Sequence, residues 1–339
     1  MIKLFFSNPP NTGYTMYTLL EAQNLVERHI QTVTIPDDPP ELYEPVKYML
    51  SMGGKRIRPA LVLLACDLYS GGIESALMPA LAIEVFHNFT LLHDDIMDRS
   101  ELRRGSPTVH VKYNQNVAIL SGDVMSILAS RFMNQAPGVV LNTVHDVFTG
   151  TAMQVCEGQQ IDMNFEERLT VSEEEYLNMI ELKTAVLIAA SLKIGAILGG
   201  SSQKDAEDLY DFGRNLGIAF QIQDDLLDTY GDPDKTGKKV GTDIVDNKKT
   251  LLMIKALEHA GASRKEELTG WLDRKAFNPE EKIRAVKAIF DALNVKKLTE
   301  EKIRDFYETA LSNLKHLNRP EDRKSELYNF ASSMMNRKR

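Results

Sequence analysis

The stretch Leu182-Lys183-Thr184-Ala185-Val186-Leu187-Ile188-Ala189-Ala190-Ser191-Leu192-Lys193-Ile194-Gly195-Ala196-Ile197-Leu198 decides the fold class. Leu182, Val186, Ala189, Ala190 and Lys193 recur at the spacing of one helical face. From Ala185 to Leu198 the other faces are apolar too, which places this helix inside a bundle rather than on its surface. Leu61 to Leu64 reads the same way, and Leu81, Val85 and Phe89 repeat the helical spacing. Breakers at Pro36 to Pro40, Gly71 and Gly72, Pro107, Pro137 and Gly138, Gly199 and Gly200, Gly231 to Gly241, and Pro279 separate segments of roughly 15–30 residues, or about ten helices. Sustained period-two alternation and hairpin dipeptides between β-branched runs are missing, so no sheet is expected. The class is all-α. No Gly/Ser/Pro-rich linker divides it, so residues 16–339 read as a single helical domain, with a more charged, peripheral helical layer from about residue 261. Residues 1–15 read as a disordered extension, with Met16 as an alternative start.

Outward from that core, the composition narrows the function. The 339 residues carry 40 Lys plus Arg against 48 Asp plus Glu, a net charge of −8, which argues against general nucleic-acid binding. Cys66 and Cys156 are too few for a disulfide framework and fit a reducing, cytoplasmic setting. The longest apolar run, Ala185 to Leu198, is interrupted by Lys193 and falls short of the ~18 residues of a spanning helix, so no integral membrane segment is expected. Near the start, Pro9 and Pro10 follow Phe6 too soon for a signal peptide.

Chemistry first appears at Leu91-Leu92-His93-Asp94-Asp95-Ile96-Met97-Asp98. Asp94 and Asp98, at i and i+4, share a helical face. A solvated acidic patch is the plain alternative, because like charges at this spacing cost a helix only about 0.2–0.5 kcal/mol. The flanks favour a cation. Leu91, Leu92, Ile96 and Met97 would bury the segment, and packed carboxylates need a positive partner or become neutral. Gly217-Ile218-Ala219-Phe220-Gln221-Ile222-Gln223-Asp224-Asp225-Leu226-Leu227-Asp228 then repeats the Asp-Asp-x-x-Asp arrangement. Two such turns facing one another make the all-oxygen cage that Mg²⁺ prefers, with open positions for water and phosphate. No Cys/His set points to zinc.

A phosphorylated ligand would need cations, and the sequence has them. Gly53-Gly54-Lys55-Arg56-Ile57-Arg58-Pro59 sets Lys55 and Arg58 beside two glycines, Arg103-Arg104-Gly105 follows the first acidic turn, Lys183-Thr184 interrupts an apolar helix, and Lys238, Lys239, Lys248 and Lys249 follow the second acidic turn. Any one of these alone reads as a surface base, and Lys183 also reads as a snorkelling helix residue. As a set they read as ligands for a phosphorylated molecule. The Gly-Gly-Lys stretch lacks the spacing of a nucleotide phosphate loop and no strand precedes it. His87 and His93 each read as hydrogen-bonded packing residues, with His87 two turns before Asp94 on the same face.

Together, Gly-Gly-Lys-Arg-Ile-Arg-Pro, both Asp-rich motifs, Arg-Arg-Gly-Ser-Pro-Thr, Lys-Thr and Gly-Thr-Asp-x-x-x-Asn-Lys resemble the trans-isoprenyl diphosphate synthases, or polyprenyl synthetases, from about Glu41 to Ala260. The resemblance implies an all-α homodimer whose bundle surrounds a deep central cavity, joining isopentenyl diphosphate to an allylic diphosphate (dimethylallyl, geranyl or farnesyl). It implies Asp94, Asp98 and Asp224 as the main Mg²⁺ ligands, with Asp95, Asp225 and Asp228 completing or orienting the shell around a three-ion cluster. Arg103, Lys183, Lys248 and one of Lys238 or Lys239 would hold the allylic diphosphate. Gly54, Lys55, Arg58, His87 and Arg104 would hold isopentenyl diphosphate, while Thr184, Gln221 and Phe220 would line the reacting carbons. The basic ending Arg337-Lys338-Arg339 is similar to tails that close over the homoallylic site in some members; a disordered basic end is the alternative.

The same resemblance makes Phe89, five residues before Asp94, a floor to the growing chain, with Thr90 beside it. One aromatic there and no insertion between Asp95 and Asp98 imply a short-chain enzyme with a C20 product, geranylgeranyl diphosphate, and C15, farnesyl diphosphate, as the alternative. A class I terpene cyclase would have no use for Lys55 and Arg58. A non-catalytic subunit of a heteromeric synthase would have lost Asp-rich positions that are intact here.

Overall fold

The structure, a computed structural model, describes residues 16–70, 72–232 and 240–335. Thr18 and Glu21 exchange a capping box at the head of α1 (Leu19–Thr32), which packs beside α3 (Ile57–Ser70) after the shorter α2 (Pro40–Ser51). Next come α4 (Leu77–Met97), α5 (Gln115–Met133, started by the Asn114 side chain) and the long α6 (Leu141–Glu166). A second capping box, Ser172 with Glu175, begins α7 (Glu173–Ile180). The chain then makes a π-helical turn, Glu181–Ala185, before α8 (Val186–Leu198). Ser202 caps α9 (Gln203–Tyr230), which α10 (Leu251–His259), α11 (Ala262–Leu272), α12 (Pro279–Ala292), α13 (Val295–His316) and α14 (Glu321–Met335) follow.

The all-α expectation holds, and the two departures from it have physical causes. First, the described residues contain more than ten helices, because the C-terminal third breaks into short segments and the π-turn divides what reads as one helix. Second, a minimal antiparallel ladder joins β1 (Leu102–Arg103) to β2 (Ser106–Pro107). Its turn is Arg104-Gly105, both in the left-handed region (φ 53° and 78°), a hairpin geometry usually announced by Asn-Gly or Asp-Gly. With arginine in the first position, no such signal was on offer.

Val186 to Ser191, Leu192, Ile194 and Ala196 are all buried, as the opening stretch implies, and each fully buried Leu, Ile or Val contributes about 1.5–3 kcal/mol of transfer free energy. Lys193 leaves that environment by reaching Glu207 on α9 at 2.7 Å. α8 packs between α3 and α9, while α4 lies along α5. α9 runs through two apolar clusters: Leu209, Phe212 and Leu216 belong to the first, Ile218, Ile222 and Leu226 to the second. The helices after residue 261 are charged outside, yet Leu268, Trp271, Val286, Phe290 and Ile303 complete the second cluster, and α13 lies along α9. Among the described residues, Glu74–Met97 is the helix long and apolar enough to cross a membrane, and 61% of its apolar stretch is buried within the protein. In the sequence α4 reads as less continuous than Ala185 to Leu198, because Glu84, His87 and Asn88 punctuate it where Lys193 alone interrupts the other run.

Candidate active site

Both Asp-rich motifs fall at the C-terminal ends of long helices. Asp94 and Asp95 lie in the last turn of α4 and Asp98 is its C-cap; Asp224, Asp225 and Asp228 lie in the last two turns of α9. A helix C-terminus carries the negative end of the macrodipole, where each carboxylate costs about 0.3–1 kcal/mol instead of stabilising. Six carboxylates therefore stand where their own helices disfavour them.

They differ in what relieves that cost. Asp95 is buried and receives both Arg103 Nε and an Arg103 terminal nitrogen at 2.7 Å, one on each oxygen. Asp225 is buried and takes the Tyr176 hydroxyl at 2.8 Å and Gln221 Nε2 at 2.9 Å; burial pushes its pKa up, against the pull of Lys248 and these two donors. Asp228 accepts Thr242 Oγ1 at 2.5 Å and the Asp243 amide at 3.0 Å. These three are held by the protein. Asp94 has Lys183 Nζ 3.6 Å from its Oδ1 and Arg103 3.9 Å from its Oδ2, and Oδ1 is buried with no hydrogen-bond partner. Asp98 and Asp224 are exposed, and desolvation together with the neighbouring Asp94 raises the Asp98 pKa.

The π-turn carries Lys183 and Thr184, and two glycines, one on α6 and one on α9, lie close against it. A Cβ on Gly158 of α6 would stand 2.3 Å from the Lys183 amide nitrogen, and one on Gly217 of α9 would stand 2.7 Å from Ala185 Cα. Such π-turns replace one helical bond pattern with a wider one and re-aim the side chains they carry. Lys183 Nζ reaches Asp162 on α6 at 2.5 Å as well as Asp94. Thr184 donates to Gln221 Oε1 at 3.2 Å, and Gln221 in turn holds Asp225. A cavity of about 40 Å³ has Asp162, Lys183, Thr184, Gln221, Asp225 and Lys248 on its walls. Lys248 lies 3.9 Å from Asp243, and the charges of Asp243, Asp225, Asp162 and Asp98 together raise its pKa against the opposing effect of desolvation. Gly158→Ala should push the π-turn away, cost about 1–3 kcal/mol of stability as overpacking typically does, and lower turnover by about 10-fold or more by misplacing Lys183 and Thr184; steady-state kinetics beside an unchanged helical circular dichroism signal would check it.

A second cationic cluster surrounds His87, two turns earlier on α4. An Arg58 terminal nitrogen donates to His87 Nε2 at 3.1 Å. Burial and the charges of Arg58, Arg104 and Arg103 hold His87 neutral, well below its ordinary pKa, so it can accept that bond. Burial also lowers Arg58 to about 10. Gly54 lies at φ 142°, and a Cβ there would stand 2.8 Å from the Arg104 guanidinium, which donates to the Gly53 carbonyl. Lys55 is exposed at the same loop. Beneath it, buried Arg56 is tied to Glu84 at 2.6 Å, Glu27 at 2.9 Å and the Leu50 carbonyl at 2.9 Å. Burial lowers the pKa of Arg104 as well, and Glu84 is the counter-charge that partly opposes this lowering at both Arg58 and Arg104.

The short hairpin thus sends its two arginines to different places: Arg103 to the first Asp-rich turn, Arg104 to the Gly-Gly-Lys loop. Phe220 is half-buried against the first apolar cluster. Phe89, half-buried, packs against His93 (ring centroids 4.8 Å) and Phe86 (5.5 Å), with Phe148 of α6 edge-on to Phe86; Thr90 donates to the His87 carbonyl. Lys238, Lys239 and the basic ending Arg337 to Arg339 lie outside the described residues, as do residues 1–15. The sequence reading passed over Asp162, Tyr176, Asp243 and Glu84. Asp162 had a signal, standing four residues after Gly158 on one face of α6, and Asp243 lay within the Gly-Thr-Asp motif; Tyr176 and Glu84 had none.

Comparison with known proteins identifies the family. Residues 39–290 match the polyprenyl synthetase family. The chain is 44% identical over 251 residues to a geranylgeranyl diphosphate synthase of Sulfolobus acidocaldarius, covering 73% of this chain and 76% of that protein. It is 40% identical over 256 residues to a geranylfarnesyl diphosphate synthase of Natronomonas pharaonis, covering 70% and 75%. A crystal structure of a geranylgeranyl pyrophosphate synthase superposes with a TM-score of 0.91 at 42% identity, covering 96% of this chain and 100% of that one. Matching in sequence over most of its length and in fold over nearly all of it, the chain is a prenyltransferase of the polyprenyl synthetase family.

Proposed function

We propose that the enzyme condenses isopentenyl diphosphate with an allylic diphosphate, releases diphosphate, and stops at geranylgeranyl diphosphate. The observation that carries this reading is the pair of basic clusters gathered at two levels beside α4: Arg58 and Arg104 about His87, and Arg103 and Lys183 about Asp94, about 10 Å apart by the seven residues between His87 and Asp94. One diphosphate fits each. Lys183, Lys248 and Arg103 take the allylic diphosphate; Lys55, Arg58, Arg104 and neutral His87 take isopentenyl diphosphate, with Gly54 leaving room for the Arg104 guanidinium.

Asp94, Asp98 and Asp224 suit Mg²⁺, because the donor set is all oxygen and Asp94 Oδ1 is a buried acceptor with no hydrogen bond. When bound, Mg²⁺ supplies positive charge to the leaving diphosphate. Arg103, Lys183 and Lys248 stabilise the same charge as the allylic C–O bond breaks. Thr184, Gln221 and Phe220 line the carbons, so that the isopentenyl double bond attacks the allylic carbon and a new C–C bond forms. The proton lost in restoring the double bond goes to the departing diphosphate, so no protein base is required.

Ile119, Leu120 and Ile127 stand exposed on α5, an apolar face that supports a homodimer. α9, passing through both apolar clusters, supports a single domain, and two free thiols, Cys66 and Cys156, support a cytoplasmic setting. The test is to incubate purified protein with Mg²⁺, labelled isopentenyl diphosphate and each allylic primer, and to chromatograph the products. A C20 product is expected; no elongation with any primer would point to a non-catalytic subunit instead. Arg58→Ala should raise KM for isopentenyl diphosphate at least 10-fold and leave the allylic KM within about twofold, the signature of lost ground-state binding.

A further inference from the structure

Lys282, on α12 in the charged C-terminal third, is fully buried, with 0% of its surface exposed. Buried lysines are rare unless paired with a carboxylate, and no ion pair to Lys282 occurs among the described residues. Its ammonium instead donates to the Val245 carbonyl at 2.9 Å and to Asn247 Oδ1 at 2.6 Å, with the Phe277 ring 4.2 Å away. Both acceptors belong to the segment that delivers Lys248. Thr242–Val245 forms one helical turn, Asn247 follows in the left-handed region (φ 56°), and the Lys248 amide bonds back to the Asp243 carbonyl at 2.9 Å.

The segment is tied down at both ends. Asp228 anchors its start through Thr242 Oγ1 and the Asp243 amide. At the other end Asn247 Nδ2 donates to the Leu272 carbonyl at 3.0 Å, and Lys249 donates to the Asn247 carbonyl at 3.0 Å. Lys282 joins these ties: it satisfies a carbonyl at the end of the short turn, where backbone acceptors are otherwise orphaned, and fixes the Asn247 side chain that reaches α11. An uncharged residue at 282 would leave that carbonyl and Asn247 Oδ1 buried without their donor, at a desolvation cost that the segment can avoid only by moving.

We propose that Lys282 is a positioning residue for the allylic diphosphate site: its buried ammonium sets the Val245–Asn247 backbone and so the reach of Lys248. This rests on the function proposed above, in which Lys248 binds the allylic diphosphate. The effect is selective, because the isopentenyl diphosphate cluster at Arg58, His87 and Arg104 shares no contact with this segment.

The test compares Lys282→Met, which keeps the stem and removes the ammonium, with Val286→Ala one turn further along α12, where a buried apolar side chain is trimmed and the Lys282 ammonium keeps its hydrogen bonds to Val245 and Asn247. Wild-type enzyme assayed alongside tests the function itself: if it elongates no primer, that reading fails and takes this proposal with it. Given active wild type, Lys282→Met should raise the allylic KM about 5- to 20-fold and leave the isopentenyl diphosphate KM within about twofold, while Val286→Ala lowers Tm and leaves the ratio of the two constants unchanged. Asn247→Gly, which keeps the left-handed backbone and removes the side-chain acceptor, should show the same selective shift at smaller size and provides the test if Lys282→Met does not fold. Equal rises in both constants, no rise in the allylic constant, or the same ratio change in Val286→Ala would each overturn the proposal.

Discussion

Asp94→Ala is expected to lower kcat by roughly 100- to 1,000-fold or more, the range seen when one preorganised electrostatic stabiliser is removed from a transition state. Asp224→Ala should fall in the same range. What separates a metal ligand from a structural acid is the accompanying stability. Both carboxylates stand at helix C-termini, where the macrodipole disfavours them, so neither variant should melt markedly below wild type in the absence of metal. Mg²⁺ with diphosphate should raise the wild-type Tm, because a ligand that binds only the folded state stabilises it by mass action, and should raise it much less in either variant. Near-normal turnover in Asp94→Ala, or an undiminished Mg²⁺-dependent rise in Tm, would remove that residue from the metal site.

The second large effect is on product length. Phe89 lies five residues before Asp94, roughly 7–8 Å back along α4, and its ring is backed by Phe86 and then Phe148. Removing one ring from such a stack deletes the upper layer and leaves the lower one. Phe89→Ala should therefore lengthen the dominant product from C20 by one or more C5 units, read by chromatography of the dephosphorylated alcohols. An unchanged product distribution in Phe89→Ala, or a wild-type product longer than C25, would refute the assignment of Phe89 as the floor. A wild-type C15 product would move the floor nearer the metals than Phe89.

The helical class was legible because apolar periodicity is written locally: Ala185 to Leu198 is apolar on every face, and it lies in the core. The Asp-rich motifs were legible for a similar reason, since Asp94 and Asp98 are one turn apart and their geometry follows from α4 alone. Partners far apart in sequence were not. Tyr176 meets Asp225 across 49 residues and Lys183 meets Asp162 across 21; each is an unremarkable residue until the helices are packed. Arg56 sat inside a motif but pointed inward to Glu84 rather than outward to a substrate, a distinction that its spacing from Lys55 and Arg58 does not encode. The π-turn was invisible because Glu181 to Ala185 has ordinary helix formers; it is the approach of Gly158 and Gly217 that accompanies it.

The hairpin at residues 102–107 has a consequence for how this enzyme can change over evolutionary time. Its two arginines are neighbours in the chain yet make different contacts, Arg103 with Asp95 and Arg104 with the Gly53 carbonyl, because Arg103 ends the first strand of this two-stranded ribbon while Arg104 stands in the left-handed turn. Exchanging either arginine for lysine should weaken one of these contacts and leave the other in place. Inserting or deleting a single residue between Ser100 and Arg103 should change which residue occupies the left-handed turn, so that Asp95 and the Gly53 carbonyl lose their arginines together. The length of that ribbon is therefore under tighter constraint than the identity of either arginine, and natural variation should accumulate as substitutions within it rather than as changes in its length.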